Sequence, residues 1–384
     1  MKRLAPAPSE PGALAEPEFS ATVIGWQQLH GRHALPWQNT DDAYRIWLSE
    51  IMLQQTQVAA VIPYYQRFLS SFPTIAALAA APSEQVMAHW SGLGYYTRAR
   101  NLHACAKRIV SEYAGQFPSD PILLAELPGI GRSTAAEIAA FAFGTRAAIL
   151  DGNVKRVFCR VFAVDGFPGN KVIEDQLWRR AEALLPLQDL ATYTQGLMDL
   201  GATLCTRTRP DCQRCPLAPR CVALATDRVA LLPVRKPKKV VPQRYASMLL
   251  IVDQNQILLE QRPDSGIWGG LLSLPEIAAT RSASDADEVA AGLFEQQLER
   301  TVAQFGVFAG YTRLTPFSHA FTHFKLHVSP CLVRLVRRHD QVGQGGHGWH
   351  RPESLRQAPL PAPVKQLLLE FFREADLFGN GSSA

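Results

Sequence analysis

The stretch Leu127-Pro128-Gly129-Ile130-Gly131-Arg132-Ser133-Thr134-Ala135 runs from a turn into an alanine-rich helix that continues through Phe143. Two glycines let the backbone turn tightly and approach a ligand closely. The N–H groups at a helix start lack partners within the helix and can take a phosphate oxygen. The spacing therefore predicts a helix–hairpin–helix over about residues 123–145, with Gly129, Gly131 and Ser133 at the contact. Such a contact positions a nucleic-acid backbone and reads no base. The plainer alternative is an ordinary helix–turn–helix with Ser133 or Thr134 as N-cap.

Outward from the hairpin, residues 19–225 read as helical, because apolar residues recur at helical spacing and β-branched alternation is rare. Tyr44, Trp47, Leu48, Ile51 and Met52 form one such stripe. Glu50 stands off that stripe, on a predicted face with Gln54 and Gln57. A lone acid among amides is a candidate general acid with a raised pKa, although a solvated surface acid is the commoner case. Asp151, in Leu150-Asp151-Gly152-Asn153-Val154-Lys155, precedes another helix and is expected to cap it. The helix dipole would keep that carboxylate ionised. One acid that protonates and one anion that stabilises are what cleavage of a glycosidic bond needs.

Cys205, Cys212, Cys215 and Cys221 follow the pattern C-x6-C-x2-C-x5-C, while the other three of the seven cysteines are scattered. Four thiolates so close predict a metal centre, and spacing alone leaves zinc and an iron–sulfur cluster both open. An odd count without a secretory signal argues against a disulfide framework and for a reducing compartment. Between Arg207 and Arg244 there are ten Lys/Arg against Asp211 and Asp227. Arg207, Arg209, Arg214 and Arg220, inside the metal loop, are the better candidates for phosphate contact, whereas the linker lysines read equally as a solvated face.

The chain has 384 residues, 47% of them hydrophobic, and a net charge of +5, which suits two domains and permits a polyanionic partner. No apolar run is long enough for a membrane span. Residues 1–18 and 377–384 read as flexible tails and 226–244 as a basic, Pro-rich linker. From 245 to 376 the pattern changes to a smaller α+β domain. Its strands are expected at Met248–Val252, Ile257–Leu259, Phe324–Val328 and Cys331–Val336, around a turn at Asp253–Gln256, with a closing helix at Val364–Phe372.

The segments SEIMLQQTQV (49–58), GLGYYTRARNL (92–102), LPGIGRSTA (127–135) and LDGNVKRV (150–157), followed by the four-cysteine loop, together closely resemble the adenine DNA glycosylase family. The resemblance implies an all-α helix–hairpin–helix glycosylase region with a 4Fe–4S cluster loop, followed by a C-terminal α+β Nudix-like domain. It implies removal, by base flipping, of adenine mispaired with 8-oxoguanine or guanine in double-stranded DNA, by a monomer in a bacterial-type cytoplasm at the nucleoid. Glu50 matches the general acid that protonates adenine at N7, Asp151 the carboxylate that stabilises the oxocarbenium ion, and Asn153 a supporting residue. Gln55 and Tyr95 match side chains pushed into the duplex beside the lesion, although Tyr95 reads equally as a core aromatic. Strand-cleaving relatives carry a lysine where this chain has Ser133, so a monofunctional enzyme is expected; Lys155 is a DNA contact able to trap an aldehyde incidentally.

The stretch SGIWGGLL (265–272) resembles the family's Nudix-like domain, and no R-E-x-x-E-E metal-binding cluster follows it. The family reads 8-oxoguanine with an H-x-F-S-H loop. Phe317-Ser318-His319 fits its last three positions literally, but Phe321, Thr322 and His323 keep the leading His319 and the following strand, and are preferred. The competing classes are a noncatalytic lesion sensor, disfavoured by the joint presence of Glu50 and Asp151, and a zinc-stabilised nucleic-acid-binding protein.

Overall fold

The computed structural model describes residues 17–236, 241–263, 266–278, 288–321, 323–339 and 346–379. Most of both expected tails, the centre of the linker and Thr322 lie outside the described residues. The chain divides into two compact units. One comprises residues up to Ala80 with Asn101–Lys238; the other comprises Ala81–Arg100 with Lys239 onward. The short segment 81–100 thus packs with the C-terminal unit, where Arg100 Nη1 donates to the Gly269 carbonyl (2.5 Å) and Ser91 Oγ to that of Leu360 (2.9 Å).

In chain order the helices are α1 (Pro17–His30), α2 (Ala43–Leu53), α3 (Val58–Ser71), α4 (Ile75–Ala80), α5 (Ser83–Trp90), α6 (Thr97–Glu112), α7 (Pro121–Ala125), α8 (Arg132–Phe143), α9 (Gly152–Val161), α10 (Lys171–Ala183), α11 (Leu190–Asp199) and α12 (Val222–Ala225). The stripe on α2 is buried as expected, with Trp47, Leu48 and Met52 fully enclosed. Burying each such side chain contributes roughly 1.5–3 kcal/mol. Alanines 135, 136, 139 and 140 on α8 are buried as well. Their small side chains let neighbouring helices approach its backbone closely, and α2, α7 and α11 all pack on it. A second core joins Phe19 and Val23 of α1 to Val157 and Phe158 of α9, Leu177 of α10 and Leu197 of α11.

Helix α2 stops sooner than the sequence suggests. Gln54 caps it, Gln55 takes a left-handed backbone (φ 59°), and Gln57 caps α3. Gln54 and Gln57 therefore do not share a helical face with Glu50; a turn closed by the Thr56 N–H on the Leu53 carbonyl (3.1 Å) intervenes. The linker also differs at its start. Leu232 is buried, and the Val229 and Leu232 carbonyls accept from the Arg160 guanidinium at 3.1 and 2.9 Å. Pro17 and Glu18, expected to be loose, form the first turn of α1.

The C-terminal unit is built on β1 (Gln243–Asp253), β2 (Gln256–Gln261), β3 (Leu272–Ser273), β4 (Glu276–Ala278), β5 (Gly306–Arg313), β6 (Phe317–Ala320), β7 (Lys325–Arg338) and β8 (His347–His350), with α13 (Glu288–Val302) and α14 (Ala362–Gly379). The sheet order is β3-β2-β1-β7-β5, with β4 on β1, β6 on β7 and β8 on β2. β1 and β7 run parallel from Gln243↔Lys325 to Val252↔Arg334. The expected turn after Asp253 is present, with Gln254 and Asn255 both at positive φ, the geometry that matches strand twist in a two-residue hairpin. Two of the expected strands are one: β7 continues through Ser329-Pro330. Pro330 falls between the end of the β6 pairing at Val328 and the start of the β5 pairing at Cys331, so its missing N–H costs the ladder little. The core between sheet and α13 contains Leu249, Ile251, Leu258, Leu298, Val302 and Val333.

Candidate active site

Asp151 is the N-cap of α9, as its sequence position predicts, and its carboxylate accepts from the Val154 N–H at 2.7 Å. The amide of Asn153 donates to the same carboxylate at 3.1 Å. Arg156 in turn donates to Asn153 Oδ1 (2.8 Å), to the Gly201 carbonyl (2.6 Å) and to the Cys205 carbonyl (2.7 Å). Asn153 lies flat on a π-helical turn, Leu200–Leu204, where a Cβ at Gly201 would come within 2.4 Å of the Asn153 Cβ. The hydrogen-bond chain thus runs from the candidate anion to the first residue of the cysteine loop.

Glu50 reaches the same site from α2. A third carboxyl group, Glu137 on α8, hydrogen-bonds to Glu50. Glu137 is 4% exposed, and Ser133 donates to its Oε1 at 3.1 Å while accepting the Leu150 N–H at 3.0 Å. Ser133 therefore points inward. The N-cap of α8 is Gly131, and no side chain caps that helix. Burial pushes Glu50 up to about 7, with the charge of Asp151 adding and the hydrogen bond from Glu137 opposing. Burial also raises Glu137 well above the usual carboxylate range. Asp151 is raised too, by burial, against the donors from Val154 and Asn153 and the nearby Arg156 charge. The expectation that the helix start alone governs Asp151 thus needs correcting: burial opposes ionisation, and the donors around the carboxylate favour it.

A cavity of about 300 Å³ opens beside Glu50, lined among others by Arg32, His33, Trp37, Gln38 and Gln195. Its wall is fixed in place. The Asp199 carboxylate, fully buried, accepts from Arg32 N and Nε at 2.8 and 2.7 Å and from Gln195 Nε2 at 2.8 Å. A cavity of this size suits a planar heterocycle.

The hairpin forms between α7 and α8. Gly129 has φ 78°, and a Cβ there would lie 2.8 Å from the Cβ of Asn101, so glycine is required twice over. Gln55 is exposed at its left-handed turn. Tyr95 is also left-handed (φ 50°) and 48% exposed. Its loop is held from beneath, because Trp90 Nε1 donates to the Gly94 carbonyl (3.1 Å) and the Arg98 guanidinium lies against the Trp90 and Tyr95 rings. The Tyr96 hydroxyl instead accepts the Gly92 N–H at 3.3 Å, which separates it from its outward neighbour. Lys155 is paired with Glu174 at 2.6 Å, a partner the sequence did not suggest.

The four cysteines line one pocket whose other walls include Val157, Leu200, Leu204, Leu217 and Leu224. Arg160, almost fully buried, donates to Cys205 Sγ at 3.3 Å and to the Thr206 carbonyl at 2.7 Å. Among the described residues no group of three or more His, Cys, Asp or Glu is placed to hold a single metal ion. Arg207 and Arg209 are exposed on this loop, Arg214 pairs with Asp211 (3.6 Å), and Arg220 lies over the Phe19 ring.

In the C-terminal unit, Phe317–Ala320 is strand β6, and Ser318 Oγ is engaged with His327 Nδ1 at 2.9 Å. Phe321 lies beyond that strand. It stacks on Phe324 (4.5 Å) and meets His319 edge-on (4.7 Å) and Trp268 (5.7 Å). Its N–H closes on the Phe324 carbonyl at 2.9 Å. His323 follows in the same connection.

Sequence reasoning missed Glu137, Arg156 and Arg160. Asn153, Arg156 and Arg160 sit three and four residues apart, a one-face spacing that was available to read. Glu137 carried no such signal, since a single acid in an alanine-rich helix reads as solvated.

Known proteins fit this geometry. Residues 48–183 match the profile of the HhH-GPD superfamily of base excision DNA repair proteins, and residues 247–370 match that of the NUDIX domain. The adenine DNA glycosylase of Buchnera aphidicola subsp. Acyrthosiphon pisum is 34% identical over 92% of this chain and 97% of its own. The human adenine DNA glycosylase is 33% identical over 80% of this chain and 65% of its own. The structure of a thermostable thymine-DNA glycosylase superposes with a TM-score of 0.50 at 28% identity, covering 54% of this chain and 96% of that one. With a helix–hairpin–helix unit carrying a caged carboxyl site, followed along the chain by a Nudix-like unit, the chain belongs to the adenine DNA glycosylase family of base excision repair.

Proposed function

We propose that the protein is a monofunctional glycosylase that excises adenine opposite 8-oxoguanine, and opposite guanine, from double-stranded DNA. The observation that carries this is the pair of unlike carboxyls: Glu50, raised to about 7, borders the cavity, while Asp151 is surrounded by donors. Two acids driven to different protonation states are the arrangement acid-assisted glycosidic cleavage requires. A base cannot be attacked while stacked, so adenine flips into the cavity beside Glu50. Glu50 protonates N7 of the base, the bond to the sugar breaks, and the Asp151 carboxylate faces the positive charge left on the ring. Asn153 holds Asp151 in orientation. Water completes the hydrolysis.

Gly129, Gly131 and the exposed Arg207 and Arg209 serve as phosphate contacts, and Gln55 and Tyr95 as the side chains that enter the duplex. Ser133, turned inward, supports the hairpin from behind. No amine stands at Ser133, and Lys155 is engaged by Glu174, which supports base release without Schiff-base strand cleavage. Phe321, Thr322 and His323 read the 8-oxoguanine; the aromatic packing around Phe321 and the engagement of Ser318 with His327 favour them over 317–319.

Cys205, Cys212, Cys215 and Cys221 would hold a 4Fe–4S cluster. An all-thiol donor set around an apolar pocket fits it. When bound, the cluster would supply a cross-link that stiffens the basic loop. A monomer acting on the nucleoid in a bacterial cytoplasm completes the reading; among the described residues no helix is long and apolar enough to cross a membrane.

The test is single-turnover release of adenine from A:8-oxoguanine, A:G and A:T duplexes, with Glu50→Gln as control. Release from the first two that is lost in the variant is expected, and wild type inert on every duplex would refute the reading. Iron and acid-labile sulfide at about four each per chain are expected, and zinc in their place would refute the cluster.

A further inference from the structure

The three carboxyl groups outnumber the two that the reaction uses. Glu137 is the most enclosed of them, and among its recorded interactions no cation and no backbone N–H is directed at it. Its neighbours are Glu50 from α2, Asp151 at the start of α9 and Ser133 on its own helix. Helix α7 contains no ionisable residue, and α11 brings only Tyr193 and Asp199, the latter committed to Arg32.

The hydroxyl of Ser133 accepts from Leu150 N–H, so its single proton is directed at Glu137 Oε1. That leaves the Glu137 carboxyl to hydrogen-bond with Glu50, and two carboxyl groups in such contact need a proton between them. The Val154 N–H and the Asn153 amide are spent on Asp151 and the Arg156 charge lies near it, which makes Asp151 the anion of the three and leaves the proton on the glutamate pair.

We infer that Glu137 is a positioning residue that remains protonated and donates its hydrogen bond to Glu50, so that the carboxylate Glu50 becomes on protonating the leaving base meets a donor already in place. This rests on the glycosylase reading above. The step balances: one proton leaves a Glu50 oxygen for the base, Glu50 becomes anionic and the base cationic, and the Glu137 O–H bond stays intact. The strong elevation of Glu137 by burial agrees with a group that keeps its proton throughout. Through Ser133, the same residue ties the acid to the hairpin and to Leu150, the residue before Asp151.

The experiment is the pH profile of single-turnover adenine release by the full-length protein, from about pH 5 to about pH 9. In wild type the rate falls as pH rises through the titration of Glu50. Glu137→Leu removes the donor without admitting water; the falling limb should move up by about one pH unit and the low-pH plateau drop about tenfold. Glu137→Gln keeps a neutral donor toward Glu50 and an acceptor for Ser133, and should return the limb to its wild-type position. A wild-type limb in Glu137→Leu would overturn the inference. So would a downward shift in Glu137→Gln, the signature of a lost negative charge. If Glu137→Leu fails to fold, Glu137→Gln decides alone by the same criterion. These outcomes concern Glu137 only; a wild type that releases no adenine is the separate failure of the glycosylase reading.

Discussion

Replacing Arg160 tests how the cysteine loop is held to the helical unit. Arg160 is 3% exposed, and its guanidinium donates to the carbonyls of Thr206 (2.7 Å), Leu232 (2.9 Å), Val229 (3.1 Å) and Arg207 (3.3 Å), and to Cys205 Sγ (3.3 Å). Arg160→Met keeps most of the stem's packing and removes every donor. Each buried acceptor left unsatisfied costs about 1–3 kcal/mol, but desolvation of the guanidinium is recovered and some carbonyls will find water. A net loss of about 4 kcal/mol follows. For a unit of this size that lowers the melting temperature by roughly 8–16 °C. Arg160→Lys keeps the charge but not the fork, satisfies one or two acceptors, and should fall between. The assay is thermal unfolding followed by circular dichroism, with iron content measured on the same samples. Arg160→Met melting within about 2 °C of wild type, at unchanged iron content, would refute the view that this side chain holds the loop.

Three further outcomes are expected. Because burial lifts Glu50 from 4.5 to about 7, the unfolded chain ionises first, so the fold loses stability as pH rises from 4.5 to about 7 and stays reduced above that. Glu50→Gln should therefore abolish base release yet raise stability at pH 8 by on the order of 2 kcal/mol, with no gain near pH 4, as read by thermal unfolding at both pH values. Gly129→Ala forces a side chain into positive φ and against Asn101, which should cost about 1–3 kcal/mol and weaken duplex binding at every salt concentration, as measured by fluorescence anisotropy. Neutralising Arg207 and Arg209 together should instead flatten the plot of log affinity against log salt by about one unit per arginine, with Glu50→Gln protein used to prevent turnover.

The helical unit was legible because its sequence obeys local rules. The α2 stripe buried as its spacing predicts, and Asp151 capped α9 as its position predicts. The C-terminal sheet was legible only in its most apolar strands. β5, with its exposed and half-buried alternation broken by a register shift near Phe308, and the four-residue β6 carry too little periodic signal to stand out from loop. β7 was read as two strands because a proline normally ends one, and only the offset of the β6 and β5 pairings makes Pro330 harmless there. The end of α2 was missed for a related reason. Gln55 holds a conformation that glutamine avoids, and such strain marks a place where tertiary context overrides propensity.

The site shows why residue types alone could name Glu50 and Asp151 but not how they work. An acid and an anion within one site will equalise unless something separates them. Asp151 is held by donors that its own helix start supplies, which oppose the upward push of burial, and the order N-cap, then Asn153, then Arg156 is written along α9. Glu50 is separated upward by enclosure, which depends on α8 lying close to α2, and that closeness depends on the alanines around Glu137. A helix with one acid among alanines therefore does two opposed things. Its small residues bring Glu50 into the core, and its single carboxyl meets Glu50 there. Local sequence encodes the first effect as composition, whereas the second exists only once α2, α8 and α9 have packed together.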